Sequence, residues 1–120
     1  MQLIAAALVL VVAALHVYFL VLEMFLWATP FGRRTFGMTA ELAQSTRTLA
    51  ANQGLYNGFL AAGLVWGLVA YGVHSGRPVL TFFLVCVVIA GVYGAITVSR
   101  RILFVQALPA LVAAGALWLA

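Results

Sequence analysis

The sequence predicts an all-α integral membrane protein, a four-helix bundle with both termini outside. Three observations predict it. Hydrophobic residues fill 67% of the 120 positions and charged residues only 7%, whereas soluble domains carry about 25% charged residues. Four apolar runs each supply roughly the ~20 residues that a helix needs to cross the hydrocarbon. The charges are Arg and Glu alone, and nearly all of them fall between the runs.

The first helix is expected over about 3–27, where "TPFG" (29–32) ends it with Pro and Gly. It is too long for the core of a signal peptide, and no Lys or Arg precedes it, so it reads as a mature helix. "MTAELAQSTR" (38–47) supplies good helix formers after a cap at Thr39. The second helix therefore begins near Ala40 and runs to about 72, with Glu41 and Arg47 on its solvated end. The third covers about 78–99, with Pro78 in its first turn. The fourth covers about 102–119, where Pro109 should kink it and free a backbone carbonyl. Trp27, Trp66, Tyr71 and Trp118 lie near the ends as interface anchors. The whole chain, 1–120, makes a single transmembrane domain. Its one cysteine, Cys86, excludes an intrachain disulfide and a thiolate metal cluster.

Arginine placement sets the orientation. Arg33, Arg34 and Arg47 lie in or beside the first loop, Arg100 and Arg101 in the last turn, and only Arg77 on the opposite side. The positive-inside rule puts the 28–47 loop and the 99–101 turn in the cytoplasm. The formal charge of +4 thus reports topology and implies no nucleic-acid partner.

Polar side chains then converge on one depth. Glu23 lies about 6 Å from the cytoplasmic end of the first helix, and His16 about 10 Å deeper on nearly the same face. "ANQGLYNG" (51–58) brings Asn52, Gln53, Tyr56 and Asn57 into the first membrane turns of the second helix. Tyr93 and Thr97 share a face at the end of the third, and Gln106 sits one turn into the fourth. Polar groups in lipid are costly unless paired, so these should face inward. The expected site is a polar pocket near the cytoplasm, formed by these residues with Arg100 and Arg101 at its mouth. Other readings stay open. Glu23 could snorkel or pair with Arg47, Arg100 or Arg101. His16 could be a hydrogen-bonded core histidine, the amides could be glue between helices, and Gln106, Tyr93 and Thr97 could be structural. His16 and Glu23, seven apart, make only a weak metal site, since structural zinc takes four ligands, and the sequence leaves any cofactor unknown. His74 reads as solvated.

Gly54-xxx-Gly58 and Gly63-xxx-Gly67 lie on roughly opposite faces of the second helix, and "AGVYGA" (90–95) marks a close approach on the third. These glycine-rich faces suit neighbouring helices of the same chain or a homo-oligomer.

The stretches "LHVYFLVLEMFLW" (15–27), "TRTLAANQGLYNGFLAAGL" (46–64) and "GVYGAITVSRRILFVQALPALVA" (91–113) resemble a bacterial family of small four-helix membrane proteins. That family is catalogued as a domain of unknown function, number thirteen-hundred-and-four. The resemblance rests on His16 with Glu23, Asn52-Gln53-Gly54 with Asn57, Gly94 to Thr97, and Gln106 with Pro109. It implies a four-helix inner-membrane protein and no established activity. A weaker resemblance joins Arg47, Ala51 and Asn52 to the membrane-associated proteins of eicosanoid and glutathione metabolism. Those are trimers that bind glutathione near the cytoplasm, but their second helix usually carries an acid where this chain has Leu55 and Tyr56.

Three function classes follow. One is a cytoplasm-facing pocket for a small amphipathic or anionic molecule, with the arginines attracting an anion. The second is a small proton-coupled transporter that uses Glu23; its acid sits near one surface rather than at the midplane, where transporter sites usually lie. The third is a structural or accessory subunit without ligand. No nucleophile–base pair, phosphate loop or cofactor fingerprint declares an enzyme.

Overall fold

The computed structural model describes residues 1–120. The chain is helical, without strands: α1 (Gln2–Met24), α2 (Pro30–Phe36), α3 (Ala40–Ser45), α4 (Arg47–Ser75), α5 (Arg77–Thr97), a π-helical turn (Leu103–Ala107) and α6 (Leu108–Leu119). Helices α1, α4 and α5 are long and apolar enough to cross a membrane, whereas the π turn and α6 together form a shorter apolar helix, Leu103–Leu119.

Four local features differ from the helices expected above. Helix α1 stops at Met24 rather than near Trp27, and "TPFG" starts a new helix as well as ending one. Thr29 caps α2 by accepting the Gly32 N–H at 3.2 Å while its own hydroxyl donates to the Leu26 carbonyl at 2.6 Å. Pro30 fits the first turn because its missing N–H would have had no partner there. Gly37 closes α2 in the left-handed region (φ 64), which costs glycine nothing.

The helix expected to run unbroken from Ala40 is two helices. Thr39 caps α3 by accepting the Leu42 N–H at 3.1 Å. At Thr46 the backbone leaves the helix (φ −102, ψ 3). There the Thr46 hydroxyl donates to the Leu42 carbonyl at 2.7 Å and accepts the Trp27 indole N–H at 3.0 Å. At the far end, Gly72 (φ 79, ψ −177) interrupts α4, and the Gly76 N–H closes the turn on the Gly72 carbonyl at 2.9 Å. Ahead of Pro109 the kink takes the form of the π turn, whose wider ring lets the Leu108 N–H reach the Leu103 carbonyl.

The chain divides into two compact units, residues 1–15 with 60–120, and residues 16–59. In the first, one apolar core draws on Val9, Val12 and Ala13 of α1, Ala61 and Leu64 of α4, Leu80, Leu84 and Val87 of α5, and Ala110, Ala113 and Leu117 of α6. Glycines let backbones approach. A methyl group on Gly91 would lie 2.6 Å from the Ala107 backbone nitrogen, and one on Gly63 would enter the Phe83 ring. Between helices in a bilayer, close packing of this kind takes the place of the hydrophobic drive. One end of this unit is tied by Arg77, which donates to the Ala120 backbone oxygen and lies 5.3 Å over the Trp118 ring. The Trp118 indole N–H in turn donates to the Thr81 hydroxyl at 3.0 Å.

In the second unit, α4 packs on the end of α1 through Gly54 and Gly58. A methyl group on either would come within 2.7 Å of Met24 Cγ or Leu20 Cδ1 respectively. Gly32 sits against the Leu26 and Trp27 carbonyls, where any Cβ would collide with backbone. Both glycine pairs of α4 are therefore covered inside the chain, Gly54 and Gly58 by α1, Gly63 and Gly67 by α5.

Candidate functional site

The strongest polar contact joins α1 to α4. Asn57 Nδ2 donates to Glu23 Oε1 at 2.5 Å, and both side chains are buried, Glu23 being 7% exposed. The contact follows from local packing. On a helical wheel Asn57 flanks Gly54 and Gly58, the residues that bring α4 against α1. Glu23 Cβ would lie 3.1 Å from a methyl group on Gly54, which places the acid at the crossing itself. A carboxylate offers about four acceptor positions, so one amide leaves capacity for further donors.

The other expected residues divide between interior and surface. Asn52, Gln53 and Tyr56 share α4 with Asn57 but are exposed, Tyr56 to 62%. Tyr56 stacks at a tilt on Phe59, with ring centroids 5.9 Å apart. His16 is fully buried and meets Phe19 edge-on at 5.1 Å. Tyr93 is 70% exposed, and Thr97 beside it is exposed too, its hydroxyl turned back to the Tyr93 carbonyl at 2.7 Å. Arg100 and Arg101 are exposed, and Gln106 is half-buried. The structure thus pairs Glu23 with Asn57 and leaves Asn52, Gln53 and Tyr56 on the surface of the same unit. No group of three His, Cys, Asp or Glu side chains gathers as a metal site.

Among the concavities of the surface, two are lined by none of these residues. One is bounded by Pro30, Arg33, Arg34, Gly37 and Met38 in the α2 region. The other is apolar, between α5 and the final helix, lined by Val92, Leu103, Phe104, Ala107, Leu108 and Leu111. Sequence reasoning passed over the first because it took α2 for a loop. The signal was present as Thr-Pro at one end and Gly seven residues beyond Pro30 at the other.

These features define an all-helical chain with three helices suited to crossing a membrane. The chain belongs to the family described as protein of unknown function (DUF1304), which matches residues 10–118. It is 28% identical over 108 residues to the uncharacterized protein YpaA of Lactococcus lactis subsp. lactis (strain IL1403), covering 88% of this chain and 89% of that one. No solved structure matches it.

Proposed function

We propose that this chain is a bacterial inner-membrane protein that binds a small amphipathic molecule on its cytoplasmic side, with Glu23 as the polar anchor. In this reading α1, α4, α5 and the final helix all cross the bilayer as a four-helix bundle, with both termini outside. The first loop and the 99–101 turn, which hold most of the arginines, face the cytoplasm. The observation that carries the reading is the buried Asn57–Glu23 hydrogen bond, with Asn52, Gln53 and Tyr56 exposed beside it on α4. An acid inside a span is costly, and such residues are functional by default. The exposed amides and phenol would hold the polar end of a ligand that donates to the carboxylate, while its apolar part lies along lipid.

A second reading is favoured by one observation: Glu23 already has its partner in Asn57, and neither concavity touches the pair. The hydrogen bond would then serve only to fix α1 on α4 in a structural or accessory subunit. Native mass spectrometry of the purified protein separates the two. The binding reading expects a bound small molecule that is lost in Glu23→Gln and in Asn52→Ala, with helicity and folded yield unchanged. If no small molecule accompanies the wild type and both variants lose folded yield, the structural reading replaces it.

A further inference from the structure

We propose that the concavity at the end of α2 is a phosphate-binding cradle, built by Arg33 and Arg34 at the edge of the membrane-spanning region. The hollow is lined by Pro30, Arg33, Arg34, Gly37 and Met38 and is an open surface depression rather than an enclosed pocket. Its charged lining is wholly basic. The lone acid between α1 and α4, Glu41, lies on α3 and does not line it.

The second observation is an orphaned donor. Arg33 Nε is buried and meets no hydrogen-bond acceptor in the protein. A buried donor left unpaired is costly, and more so on a charged group. Arg77 has a buried Nε of the same kind, but its guanidinium is otherwise engaged, by the Ala120 backbone oxygen and the Trp118 ring. Arg33 has no such engagement, so the rest of its guanidinium is uncommitted in a hollow that it lines together with Arg34. A guanidinium matches phosphate best, because its planar fork meets two oxygens at once.

The cradle is held in place by packing. Gly32, buried against the Leu26 and Trp27 carbonyls, fixes α2 on the chain just past α1. Gly37 ends α2 in a left-handed turn, and the Met38 N–H reaches back to the Arg33 carbonyl at 2.9 Å. Within the same unit, the Trp27 and Phe36 rings lie 4.8 Å apart. A Trp at the end of a span sits at headgroup level, and basic segments there attract anionic lipid. The shared chemistry is a phosphate oxyanion, whether carried by a phospholipid headgroup or free in solution. This inference is independent of the Glu23 site.

The test uses the full chain in two settings. In nanodiscs of phosphatidylcholine mixed with phosphatidylglycerol, native mass spectrometry reads the anionic lipid that stays bound on release. In neutral detergent, inorganic phosphate is titrated by isothermal calorimetry. The variants are Arg33→Gln, Arg33→Lys and Arg34→Gln, with exposed Arg47→Gln as a charge-matched control. The expected result is a roughly ten- to hundredfold weaker binding in Arg33→Gln. Arg33→Lys should recover only part of it, and Arg47→Gln should bind as the wild type does. Loss confined to the nanodisc arm identifies the source as lipid, and loss in the calorimetric arm identifies free phosphate. Absence of binding in both arms overturns the proposal, as does equal weakening by Arg47→Gln, which would mean unspecific surface charge.

Discussion

Replacing Asn57 by Leu removes the one hydrogen-bond donor seen on the Glu23 carboxylate while keeping nearly the same side-chain volume. In water-soluble proteins a hydrogen bond to a charged group contributes about 1.5–3 kcal/mol. Between membrane helices the coupling averages about 0.6 kcal/mol and reaches about 1.7, because the unfolded chain in lipid also finds partners. The contact here is short, buried and set at a glycine crossing, so it belongs in the upper half of the membrane range. Asn57→Leu should therefore lower the unfolding free energy by about 1–2 kcal/mol, since a buried carboxyl is left short of a donor. In Glu23→Met with Asn57→Leu both polar groups are gone, and the pair can pack as hydrocarbon. The double variant should recover at least about 1 kcal/mol relative to the sum of the single effects. Steric-trap unfolding in bicelles measures all four corners of the cycle. Additive effects, within about 0.3 kcal/mol, would refute the coupling and with it the claim that this bond holds α1 to α4.

Two further outcomes follow from the geometry. Gly91→Ala would press a methyl group on the Ala107 backbone at 2.6 Å, costing about 1–3 kcal/mol of overpacking, whereas Gly115→Ala meets nothing within 4 Å and should gain up to about 1 kcal/mol of helix propensity; the same unfolding assay reads both. The proposed orientation expects Ser75→Cys, in a Cys86→Ala background, to react with an impermeant maleimide on intact spheroplasts. Ser45→Cys should react only after permeabilisation, and the reverse pattern would invert the topology.

Much of the architecture was legible in the chain. Helicity and the three helices long and apolar enough to cross a membrane follow from composition and run length, because a bilayer leaves the backbone no alternative to internal hydrogen bonding. The cap at Thr39 was also readable. The continuity of 40–72 was not, since propensity alone favours helix through Thr46. What breaks it is the side-chain chemistry of Thr46, which serves the Leu42 carbonyl and the Trp27 indole together. Helix α2 was missed because Pro and Gly were read only as terminators.

The candidate site shows the same division. From the sequence by itself came the expectation that polar residues gather at one depth, through spacing along helices of known rise. It could not say which of them turn inward, because α1 and α4 are apolar on nearly every side and carry no stripe to orient them. Only tertiary structure decided that. Gly54 and Gly58 admit α1 so closely that the residue flanking them, Asn57, meets Glu23, while Asn52, Gln53 and Tyr56 are turned to the surface. The partner of the single acid of α1 was chosen by which backbone could approach, a property of two helices in contact that neither helix carries alone.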